Sequence, residues 1–93
     1  MTASVSGDES LLQAQLAREG WSVQRWSNGP HAVYGLHQHP YEKLLVVIEG
    51  TIAFSIGDRR RVLQAGGRLK LPAGTPHRAC VGATGVVCLE AHR

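Results

Sequence analysis

From Trp21 onward the chain is a succession of short apolar runs, each cut by glycine or proline, and this rhythm excludes most folds. A helix that buries one face needs roughly ten or more residues at the helical period, and no segment after Gly20 offers that. Short runs at even spacing with turn residues between them predict a β-barrel or jelly roll. The expected strands are Trp21–Ser27, His31–His39, Lys43–Glu49, Thr51–Ile56, Arg61–Gln64, Arg68–Leu71, His77–Val81 and Gly85–Glu90. Gly50 is read as a break and Gly57-Asp58 as a tight turn. The last two strands are read as a hairpin across Gly82-Ala83-Thr84. Within Lys43–Glu49, apolar residues stand on both parities, which predicts a strand covered on both faces.

Only the N-terminal stretch differs. Met1 to Asp8 reads as a frayed leader, and Glu9 to Glu19 as a helix capped by Asp8 or Ser10 and stopped by Gly20. Leu11, Leu12 and Leu16 give it an apolar edge, to pack on a sheet or a second subunit. The expected division is residues 1–20 as leader and helix and 21–93 as the β domain. With 43% hydrophobic and 18% charged residues the chain is globular rather than disordered. A chain of 93 residues makes one domain. At that size folding buries roughly 60–65% of the unfolded surface, so a homodimer is expected. The net charge of +3 gives no case for nucleic acid, and Arg59-Arg60-Arg61 reads as a solvated hairpin end rather than an anion site. No apolar run reaches membrane-spanning length and no leader has an apolar centre, so a cytoplasmic protein with Cys80 and Cys88 reduced and buried is expected.

The chemistry lies in the histidines. His37 and His39 are two apart on an expected strand, so alternation aims both at one face. His77 follows the Pro72-Ala73-Gly74 turn, which can bring a third imidazole to the same cavity. Three neutral imidazoles suit Zn, Fe, Ni, Cu or Mn, and leave at least one coordination position for water or a small molecule. His31 and His92 sit near strand ends and read as solvated.

His37-Gln38-His39-Pro40 with the strand ending at Gly50 resembles the first motif of the cupins, and Gly66, Pro72, Gly74 and His77 resemble the second. The resemblance spans about Trp21 to Glu90. It implies an all-β double-stranded β-helix, a jelly-roll barrel, whose pocket holds a divalent metal through His37, His39 and His77. It leaves the reaction open, since cupins include enzymes, sugar-binding sensors and storage proteins. The functions that follow are a metal-dependent protein acting on a small molecule, a non-catalytic small-ligand sensor, or a metal-free structural cupin.

The chain departs from the motif in three places. The leading glycine is His31, the trailing Asn is Val81, and the usual glutamate ligand is Lys43. Lys43 has three readings: an anion-binding ammonium at the cavity, a base deprotonated by the metal and desolvation, or a stem whose amine turns to solvent. A cation there weakens metal binding by repulsion. Tyr41, on the parity of the histidines, is a candidate for the cavity rim. Glu42 is a candidate only if a β-bulge shifts the register.

Overall fold

The computed structural model describes residues 7–93, and the first six residues of the expected leader lie outside the described part. A helix, α1 (Gly7–Arg18), precedes six strands: β1 (Ser22–Asn28), β2 (Val33–His37), β3 (Lys43–Ile56), β4 (Arg59–Leu63), β5 (Arg68–Leu71) and β6 (His77–His92). The helix starts earlier than its sequence suggests. The expected caps, Asp8 or Ser10, therefore both lie inside it, and Asp8 and Glu9 sit in its first turn, where acidic groups favour the helix dipole. Its end is as expected: Trp21 N donates to Leu16 O and Gly20 N to Ala17 O, with Gly20 at φ +91°, a Schellman closure.

Six strands stand where eight were expected, because two of the expected breaks are not breaks. β3 runs through Gly50 and β6 runs through Gly82-Ala83-Thr84, so the hairpin expected at the end of the chain is absent. The two long strands pair with each other antiparallel, with register shifts between Val47 and Glu49 and between Gly50 and Ile52. These are bulges at which both strands bend. Gly50 sits there at φ +82°, and a Cβ on it would collide with the Gly85 carbonyl oxygen. The glycines serve the crossing of two bent strands rather than chain reversal. Gly57-Asp58, by contrast, is a turn, and β4 begins directly at Arg59.

The bend makes two half-sheets from one six-stranded sheet. The first half of β3 and the last half of β6 adjoin β5 and β1; their other halves adjoin β4 and β2. Leu45, Val47, Leu69 and Val86 from one half meet Ile52, Phe54, Leu63 and Val81 from the other in the interior. On the outer side of the first half, Leu44, Val46, Leu89 and Ala91 form a second core with Leu16 and Trp21. The doubly apolar strand is thus covered within one chain, and it gives no reason to invoke a second subunit. Glu9, 2% exposed, reaches Arg25 at 2.8 Å and fixes the helix to β1. Arg59, Arg60 and Arg61 are exposed on β4, away from the cavity.

Candidate metal centre

The three histidines arrive by three different local devices. His37 is the last residue of β2, beyond a register shift against β6. His39 has left the strand, so simple alternation does not place it. It is held instead by the second motif: Gly74 N donates to the His39 carbonyl at 2.7 Å, across the Pro72–Thr75 turn. Within that turn Thr75 Oγ1 donates to Pro72 O at 2.8 Å, and the Thr75 carbonyl in turn accepts from His77 Nδ1 at 2.9 Å. His77 opens β6 and is 2% exposed. The rings converge, with centroids 5.0 Å apart for His37–His39, 4.2 Å for His37–His77 and 5.4 Å for His39–His77. One ring nitrogen from each lies within 4.8 Å of the others.

Hydrogen bonds decide which nitrogens are free. His37 Nδ1 lies 2.6 Å from Gly35 O and His77 Nδ1 lies 2.9 Å from Thr75 O. A carbonyl only accepts, so both Nδ1 atoms carry the proton and both Nε2 atoms keep a lone pair. For His39 the partner is Lys43, whose Nζ lies 3.4 Å from Nε2. An ammonium only donates, which puts the lone pair on Nε2 here too, while Nδ1 faces the Tyr41 hydroxyl at 3.2 Å. A backbone or hydroxyl oxygen behind each imidazole is how metal-bound histidines are oriented. The donor set therefore fits a divalent ion with nitrogen ligands. Burial pushes His39 and His77 below the ordinary value of 6.5; Lys43 and the neighbouring imidazoles add to this, and the Thr75 hydrogen bond opposes it at His77. Both shifts favour the neutral form that ligates.

His37 and His77 line a cavity of about 270 Å³ with Phe54, Trp26, Lys43 and Glu90. Lys43 is 8% exposed and points inward, so its amine does not turn to solvent. Its Nζ forms an ion pair with Glu90 Oε1 at 3.0 Å. Sequence reading missed Glu90: it lies at the far end of the chain from Lys43, and only the β3–β6 register, Leu45 opposite Glu90, brings them together. Tyr41 stacks on His39 at 5.0 Å and 18° and also meets His92 at 4.9 Å, which is therefore packed rather than solvated. Glu42 faces outward, against Arg93 at 2.9 Å and Lys70 at 3.4 Å, and it does not line the cavity. Those two cations hold its carboxyl below the usual 4.5, Arg93 through its hydrogen bond first. No bulge brings it in, because β3 starts at Lys43 with Lys43 opposite Leu71 and His92. Cys88 is buried and its thiol pushed up to about 12 by desolvation, whereas Cys80 is exposed, against the expectation that both are buried.

His31 keeps the conformation that its motif position demands. At φ +63° it is the sole non-glycine in the left-handed region among the described residues, and its N–H donates to Gly82 O at 3.2 Å. The glycine of the motif has been replaced, but the turn has not.

Fold and site define a small jelly-roll barrel with three imidazoles converging beside a pocket that opens to solvent. The chain belongs to the cupin family: the Cupin domain profile matches residues 25–91. Among solved structures it is similar to KdgF from a Halomonas species (19% identity, TM-score 0.72), covering 77% of this chain and 68% of that one. It is also similar to an RmlC-like cupin from Shewanella frigidimarina (21% identity, TM-score 0.70; 77% and 64% covered). The DMSP lyase DddQ from Ruegeria pomeroyi aligns at 24% identity and TM-score 0.73, over 78% of this chain but 38% of the lyase. At these identities the likeness is one of fold. Among curated protein sequences none matches this chain. No helix among the described residues is long and apolar enough to cross a membrane.

Proposed function

We propose that this cupin binds one divalent metal ion through Nε2 of His37, His39 and His77 and presents it to a small molecule in the adjoining cavity. The observation that carries this is the hydrogen bonding of the imidazoles. Each has its Nδ1 against an oxygen, which leaves the Nε2 lone pair as the free donor on each of three rings that converge. When bound, such an ion acts as a Lewis acid toward a carbonyl or a coordinated water. The chain's own residues do the rest. The Pro72–Thr75 turn keeps His77 oriented and ties it to the segment after β2 that carries His39. Phe54, Trp26, Leu45 and Ile52 give the cavity apolar walls for a ligand to pack against, and Lys43 and Glu90 are its charged groups. A volume of about 270 Å³ admits a ligand at the small end of the usual range for such sites.

Zn²⁺ titrated calorimetrically into chelator-stripped protein is expected to bind one ion per chain. His77→Ala and His37→Ala are each expected to weaken binding by at least tenfold, while His92→Ala leaves it unchanged. Measurable binding of equal affinity in wild type and His77→Ala would refute the reading.

A further inference from the structure

The charged part of the cavity is not where the family motif puts it. The motif's carboxylate position carries Lys43 on β3, and a carboxylate enters from the neighbouring strand as Glu90 on β6. The two side chains are 10% and 23% exposed, 3.0 Å apart, and both line the same cavity as His37 and His77. Lys43 stands between: its Nζ is 3.0 Å from Glu90 Oε1 and 3.4 Å from His39 Nε2, one of the three lone pairs proposed to ligate.

We propose that the Lys43–Glu90 pair sets the metal affinity of this site, Lys43 as a resident cation that competes for His39 Nε2 and repels the ion, and Glu90 as the carboxylate that offsets Lys43 and draws it away when an ion enters. The proposal rests on the three-imidazole reading. Its physical content is Coulombic and structural. An ammonium within hydrogen-bonding distance of a ligating nitrogen opposes a dication strongly at that range, even in a well-screened interior. It must also give up its contact with His39 when that nitrogen ligates. Glu90 gives the displaced ammonium a partner that it already holds, so Lys43 can swing off His39 without becoming an unpaired buried charge. The pair is neutral as a unit, and the ion is then held by imidazoles alone. Such a site takes up metal and lets it go more readily than one with a carboxylate ligand. Lys43 also pre-sets the site, because its donation to Nε2 keeps the His39 proton on Nδ1, toward Tyr41.

The two halves of the pair should therefore act with opposite sign. Zn²⁺ is titrated into chelator-stripped wild type, Lys43→Met, Glu90→Gln, the double variant, and the charge swap Lys43→Glu with Glu90→Lys, each first checked for folding by circular dichroism. Lys43→Met is expected to bind at least tenfold more tightly than wild type and Glu90→Gln at least tenfold more weakly. The double variant should return to within about threefold of wild type. The swap keeps the ion pair and so guards against loss of folding in the singles; it is expected to bind at least tenfold more tightly. Either single variant within threefold of wild type, or both moving in the same direction, overturns the proposal while leaving the imidazole site standing. Binding by Lys43→Met where wild type binds nothing supports it. Binding by neither would end both the proposal and the three-imidazole reading.

Discussion

The interior of the barrel has two ends built on the same strands, and they lie only a step or two of the strand alternation apart. On β3, Val47 fills one end and Lys43 stands at the other, with Leu45 between them in the cavity wall; on β6, Cys88 gives way to Glu90, and Ala79, also in the wall, to His77. The apolar end is tightly closed, with Val47 and Val81 at 1% exposure and Cys88 at none. At the polar end the Nδ1 atoms of His37 and His77 and the Lys43 ammonium each have a named oxygen partner, while Nε2 of His37 and of His77 keeps its lone pair. One period-2 pattern can therefore carry a core and a site in series. What separates them is only whether the next inward side chain is apolar or comes with a partner.

If that division is real, the two ends should respond differently to mutation. Val47→Ala at the apolar end should cost about 2 kcal/mol, because it leaves a void in a closed core. Chemical denaturation of the metal-free protein measures this, and a cost below about 1 kcal/mol would show the end to be loosely packed. At the polar end, replacing both members of the ion pair, as in Lys43→Met with Glu90→Gln, should change stability by no more than about 1 kcal/mol, since a buried pair roughly balances its own desolvation. A loss as large as that of Val47→Ala would mean that the two ends are not energetically distinct.

A smaller effect concerns the entry to β2. His31 pays for its left-handed backbone, and His31→Gly should raise stability by about 0.5–1 kcal/mol, the relief being partly offset by the freedom glycine gains when unfolded. Thermal unfolding reads this, and a lower midpoint would show that the His31 side chain contributes something its exposure hides.

The smallest effect is one of pH, and it belongs to the polar end alone. His39 and His77 have folded-state values below the unfolded 6.5, so the unfolded chain binds more protons as pH falls beneath that value. The stability they contribute is present above 6.5 and is lost as pH falls through their folded values. Glu42 acts in a separate window, below 4.5. The metal-free protein should lose stability on going from pH 7 to just below 6, and His77→Gln should flatten that slope. An unchanged slope would place the proton uptake elsewhere.

How much of this the sequence reveals depends on the kind of signal. Spacing that fixes a turn was legible: Pro72-Ala73-Gly74 delivers His77, and Gly57-Asp58 reverses the chain. Helix termination at Gly20 was equally plain, because the left-handed residue and its two hydrogen bonds are local. Gly50 and Gly82 misled, since a glycine in a turn and a glycine at a bulge look the same until the partner strand is known. His39 converges with His37 for a reason other than strand alternation, a hydrogen bond from Gly74 that no local pattern announces. Glu90 was invisible for the same cause. Its meaning comes from the register of β6 against β3, and an isolated glutamate near the end of a strand carries no sign of the lysine it will meet.

The central claim is that three Nε2 atoms converge as ligands while three Nδ1 atoms stay behind as hydrogen-bonding positions. Long-range ¹H–¹⁵N spectra of the histidine side chains, recorded with and without one equivalent of Zn²⁺, test it most directly. The account predicts that the Nε2 resonances of His37, His39 and His77 shift together, that their Nδ1 atoms remain protonated, and that His31 and His92 do not move. A shift at Nδ1 of any of the three, or a response confined to fewer than three histidines, would contradict it.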